Sequence, residues 1–91
     1  GDKRIGSPTL SPDGSTGCAA VTRFDMESNE SATELWLFST QGGKPRRLTS
    51  GDKDTEPRWS PDGRWIAFTA KRSGDDEPQL YIIAPDGGEA R

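Results

Sequence analysis

The chain has 91 residues, 29 per cent of them apolar, and seven of the apolar residues are alanines, so it offers little to bury alone and reads as part of a larger structure. Eleven Gly and seven Pro work against long helices and favour a turn-rich β protein. Twelve Lys and Arg against fifteen Asp and Glu leave a formal charge of -3 with the signs interleaved. That balance excludes the basic footprint of a nucleic-acid binder, and no apolar run is long enough to span a membrane or follows a charged start as a signal peptide would.

The chain contains no histidine. A Ser-His-Asp triad, a Cys-His dyad and a His-ligated metal site are therefore impossible from this segment. Neither a G-x-S-x-G nucleophile elbow nor a G-x-x-x-x-G-K-[ST] phosphate loop occurs. The single Cys18 rules out an internal disulfide or a cysteine zinc cluster and fits a reducing compartment, so a cytoplasmic location is expected. No catalytic, cofactor-binding or metal-binding residue is assigned.

Residues 1–7 form a lead-in. Pro8-Thr9-Leu10-Ser11-Pro12-Asp13-Gly14 then returns as Pro57-Arg58-Trp59-Ser60-Pro61-Asp62-Gly63, offset by 49, and Leu35-Trp36-Leu37-Phe38 returns as Leu80-Tyr81-Ile82-Ile83, offset by 45. The difference marks an insertion in the first copy between Arg23 and Leu35, and its polar stretch from Asp25 to Thr33 is the expected mobile surface. A period in the mid-forties with frequent turn signals is that of a four-stranded propeller blade.

The first strand of each copy holds Leu10 or Trp59 and ends at Ser11, Pro12, Asp13, Gly14 or at Ser60, Pro61, Asp62, Gly63. These are structural turns, with Pro presetting φ and both Gly14 and Gly63 expected at positive φ. The second strand is clearest as Trp65 to Thr69. The third runs Leu35 to Ser39 and Leu80 to Ala84, near-continuously apolar as if covered on both faces. Arg46 to Thr49 forms an outer fourth strand after the Gly42-Gly43 turn. The expected organisation is a first blade over 8–50, a linker over 51–56, and a second blade over 57–91 lacking its outer strand. The fold class is all-β, a β-propeller fragment of about two four-stranded blades from a larger ring.

The run from Pro57 to Phe68 resembles the repeat of TolB-type propellers and of the propeller domains of the prolyl oligopeptidase family of serine peptidases. Thr22-Arg23-Phe24-Asp25, Asn29 and Glu34 to Phe38 look like the opening blade of bacterial acylaminoacyl and dipeptidyl peptidases. Arg46 to Gly51 and Gly87 to Arg91 are similar to blade ends of the same group. The resemblance implies an often seven-bladed propeller over an α/β-hydrolase domain that is absent from this chain and carries the catalytic residues. The implied partners are the remaining blades, that hydrolase domain and short peptide substrates. A TolB-like binding module, periplasmic and without an enzyme, is the alternative. Gly17, Cys18, Ala19 and Ala20 depart from the family, which usually has bulkier residues there.

Asp13 and Asp62 recur at equivalent turn positions, so they are structural rather than catalytic. Asp52, Asp54 and Glu56 alternate like a calcium loop but lack its Gly and closing Glu, and calcium is set aside. Asn29-Glu30-Ser31 is a glycosylation sequon, relevant only in a secretory pathway. Trp36, Trp59 and Trp65 are read as blade packing. Arg23 and Arg72 match at the ends of the second strands, where each can face a substrate carboxylate or pair with a nearby acid, and a structural ion pair is the favoured reading. Uncovered blade faces make the isolated segment prone to form an oligomer.

Overall fold

A computed structural model of the chain describes residues 3–72, 74–88 and 90. It contains eight strands and, among the described residues, no helix: β1 (Lys3–Ile5), β2 (Thr9–Leu10), β3 (Thr16–Asp25), β4 (Glu30–Ser39), β5 (Arg46–Arg47), β6 (Thr55–Trp59), β7 (Ile66–Ala70) and β8 (Gln79–Ile83). They build two antiparallel sheets. The first has the order β1-β3-β4-β5 with β2 also on β3, and the second has the order β6-β7-β8. Each sheet is one blade.

Both Ser-Pro-Asp-Gly turns close as expected, with Gly14 and Gly63 each at φ 74. Serine does more than the turn rules require. Ser11 Oγ donates to Asp13 Oδ1 at 2.7 Å and accepts from Thr16 N at 3.1 Å, while the Ser11 and Thr16 backbones pair at 2.7 Å. In blade two, Ser60 Oγ donates to Asp62 Oδ1 at 2.6 Å and accepts from Trp65 N at 3.0 Å. Each serine thus satisfies backbone and carboxylate together, which a tight turn otherwise leaves to water.

The insertion in blade one is not a loose loop. Strands β3 and β4 pair without interruption from Thr16↔Ser39 to Asp25↔Glu30, so the extra residues lengthen a regular hairpin beyond the blade. The lead-in residues of β1 cover its inner edge, with Lys3↔Arg23 and Ile5↔Val21. On its outer edge, Thr33 N donates to Asp52 O at 2.6 Å and Asp54 N to Thr33 O at 3.0 Å.

The core lies between the blades. Cys18, Leu35 and Leu37 from blade one pack with Ile66, Phe68, Ala70 and Ile83 from blade two, and Trp59 Nε1 reaches back across the interface to Thr9 O at 3.0 Å. Only two of the three tryptophans lie in strands. Trp65 precedes β7 and is 38% exposed, because it faces away from blade one.

The small residues of β3 are explained across the strand pair. Gly17 lies opposite Phe38 and Ala19 opposite Trp36, where blade two sets Ile66 opposite Ile83 and Phe68 opposite Tyr81. Volume missing from one strand is supplied by its partner, and a Cβ on Gly17 would clash with the Phe38 ring, nearest its Cζ. The exchange has a cost at Trp36, whose Nε1 is buried with no partner among the described residues.

The third strand of blade two is covered on one face only. Leu80 and Ile82, equivalent by the repeat to the buried Leu35 and Leu37, are 72% and 37% exposed.

Candidate functional site

Two groups of ion pairs sit at the strand ends nearest the extended β3–β4 hairpin. Arg72, just beyond β7, pairs with the carboxylate of Asp54, which is fully buried and also accepts from Gly51 N at 3.0 Å. The guanidinium lies over two aromatic rings, 5.6 Å from the Phe68 centroid and 5.4 Å from that of Tyr81. Asp75 completes the group, accepting from Arg72 N at 2.9 Å and from Tyr81 Oη at 2.6 Å. The Tyr81 hydrogen bond, seconded by the Arg72 backbone, holds the Asp75 carboxyl below its ordinary range; the same bond raises the Tyr81 phenol.

Asp54 thereby joins the two blades. Its backbone is bonded to Thr33 of blade one and its side chain to Arg72 of blade two. Any side chain at Gly51 would collide with the Arg72 guanidinium and crowd the Asp54 carboxylate, which explains glycine there without an unusual φ.

Arg23, at the matching position of blade one, is arranged differently. It donates through Nη2 to Glu34 Oε1 at 2.8 Å, and Arg47 Nη1 approaches Glu34 Oε2 at 3.5 Å. Glu34 is buried beneath these two half-exposed arginines. The site of Asp54 is held in blade one by Ile5, so Arg23 turns to its own sheet for an acid. Asp13 and Asp62 lie in the turns at the far ends of the strands. Asp52 and Glu56 flank Asp54 within the linker at φ 63 and 55, and among the described residues no three acids gather as a metal site. Burial pushes the Cys18 thiol up to about 12, which keeps it neutral and unreactive.

The sequence marks both arginines as members of ion pairs but does not name Glu34 or Asp54 as their partners, Asp54 standing out there only in the discarded calcium pattern. The signal for Asp54 was present in the repeat. Sliding by 49 aligns Arg23 with Arg72 and sets Asp54 on Ile5, so an acid stands at this position only in blade two.

A family model described as "TolB beta propeller domain" matches residues 2–91. The chain belongs to that family. It is 39% identical over 88 residues to the uncharacterized peptidase YuxL of Bacillus subtilis, spanning 96% of this chain and 13% of that protein. It is 35% identical over 89 residues to dipeptidyl-peptidase 5 of Porphyromonas endodontalis, spanning 97% of this chain and again 13% of the relative. Among solved structures, the acylaminoacyl peptidase of Pyrococcus horikoshii superposes with a TM-score of 0.77 over 99% of this chain and 14% of that one, at 19% identity, a likeness of fold. The chain therefore matches a propeller segment of much longer peptidases.

Proposed function

We propose that these two blades belong to the propeller of a serine peptidase and that the propeller restricts which peptides reach an α/β-hydrolase site elsewhere in the same protein. The observation that carries this reading is sequence likeness to two peptidases over both blades, including the extended hairpin of blade one. The chain has no histidine, so a triad would have to come from another domain. The exposed pair Leu80 and Ile82 fits a third blade, because blade two covers the equivalent Leu35 and Leu37 in just this way. A ring of such blades encloses a narrow channel, which passes short peptides and holds back long chains and folded protein.

The experiment compares the intact protein with a variant loosened in blade two, Gly63→Val, on a short chromogenic peptide and a long unfolded polypeptide. Restricted access predicts that the variant gains on the long substrate relative to the short one. Equal loss on both would leave the blades a purely stabilising role. An intact protein that hydrolyses neither peptide and resists a serine-directed phosphonate probe would instead be a TolB-like binding module.

A further inference from the structure

The extended hairpin carries an open face above blade two. Cys18, Leu35 and Leu37 point into the shared core, and side chains alternate along a strand, so Thr22, Phe24, Ser31 and Thr33 continue that face outward past the core. Arg4, the cross-strand partner of Thr22, joins them. Together with Lys3, the residues Arg4, Thr22, Phe24 and Ser31 line a notch of about 340 Å³.

The chemistry of this lining is one-sided. Among the described residues it has two hydroxyls, one aromatic ring and no carboxylate, with Arg4 on this face and Lys3, the next residue of β1, at its edge. Among the described residues, neither Lys3 nor Arg4 forms an ion pair. The acids nearby, Asp25, Glu27, Glu30 and Asp52, line the adjoining hollow of about 660 Å³ around the hairpin tip. Phe24 is 38% exposed and offers an apolar floor beside the cations.

We propose that this notch binds the C-terminal carboxylate of a peptide substrate, with Arg4 taking the carboxylate and Phe24 packing against the last side chain, an inference that rests on the peptidase reading above. The guanidinium fork matches the two coplanar oxygens of a carboxylate, and the Ser31 hydroxyl can add a donor beside it, as can Thr22 when its Oγ1 accepts from Thr33 Oγ1 at 2.9 Å. Such a subsite makes the propeller a selector of peptide ends as well as of peptide size.

The test uses the intact protein and three peptides of one sequence: the free acid, the C-terminal amide, and an amide whose last residue is Glu. The free acid is expected to be favoured over the plain amide by about tenfold in kcat/KM, through KM. Arg4→Ala should erase that preference by raising KM for the acid while leaving the amide unchanged, with unaltered thermal melting. Equal rates for acid and amide in the unsubstituted protein, or equal losses on both in Arg4→Ala, would overturn the proposal. So would a Glu-terminated amide as good as the free acid, since the notch would then take any carboxylate. Should the protein cleave no peptide at all, the peptidase reading fails separately, and fluorescence anisotropy with labelled acid and amide peptides still decides the notch. Arg4-dependent preference for the acid supports it, and indifferent binding overturns it.

Discussion

The two blades share a repeat but secure their matching arginines in opposite ways. In blade two, Arg72 reaches out of its own sheet to Asp54, a fully buried acid whose backbone belongs to the neighbouring blade's hydrogen-bond system. In blade one, Arg23 stays within its sheet and caps Glu34 together with Arg47. The first arrangement couples blades and the second finishes a surface. Two substituted positions, Ile5 against Asp54 and Glu34 against Gln79, separate them.

The largest expected effect tests that contrast. Asp54→Ala strands the Arg72 guanidinium between two rings and leaves Gly51 N without its acceptor. Breaking a buried pair by removing one partner costs about 3 kcal/mol or more. Glu34→Ala uncovers two arginines that are already half in water, so about 1 kcal/mol or less is expected. Urea unfolding of the intact protein reads both as midpoint shifts at constant slope. Equal shifts would mean that the Asp54 bond does not couple the blades.

The next test concerns the exchanged volumes. Gly17→Val drives a branched side chain into the Phe38 ring and should cost about 2 kcal/mol as overpacking. Adding Phe38→Ile imports the arrangement of blade two and should recover more than half of that loss, a non-additivity that two independent sites would not show. Additive losses would mean that the pair is not a packing unit.

The parts of this fold legible in the sequence are those set by local chemistry. Pro, Asp and Gly at fixed offsets specify the two hairpin turns, and repetition of the turn and of the apolar third strand reveals the blade. What escaped is non-local. The run Gly17 to Ala20 looks underfilled because its filling comes from Trp36 and Phe38, about twenty residues on, and only the strand register shows that they are opposite. The polar insertion reads as loop because its residues lack strand propensity, yet β1 and the linker supply edges that extend the ladder. Arg23 and Arg72 could be located by the repeat, whereas choosing between a substrate and an acid required knowing what lay across the interface.

A smaller effect should be equal in both blades. Gly14 and Gly63 share a φ of 74, and an added Cβ meets nothing within 4 Å at Gly14 and only the Pro12 ring, at 3.5 Å or more, at Gly63. The cost of alanine is therefore conformational, about 1 kcal/mol at either turn. Thermal unfolding of the two variants should give matching shifts, and a much larger loss at one would reveal a tertiary role for that turn.

The smallest difference lies between the two turn acids. Asp13 is lowered from 3.8 to about 2, first by the Ser11 hydroxyl and then by the Ser15 backbone and hydroxyl. Asp62 is lowered too, first by Ser60 and then by the Arg64 backbone, with the charge of Arg64 contributing from 3.9 Å. A carboxyl lowered by folding stabilises the fold fully above its unfolded value, and that contribution disappears as pH falls through the folded value. For Asp13 the window therefore runs from about 4 down to about 2. Carboxyl NMR titration should show Ser11→Ala moving Asp13 upward yet still below its ordinary range, since both Ser15 bonds remain. Salt provides the sharper contrast: screening the exposed Arg64 should raise Asp62, whereas Asp13, held by neutral donors, should stay where it is. If salt moved both acids equally, the general field of the molecule would be setting their titration, and the serine-centred turns would lose their assigned role.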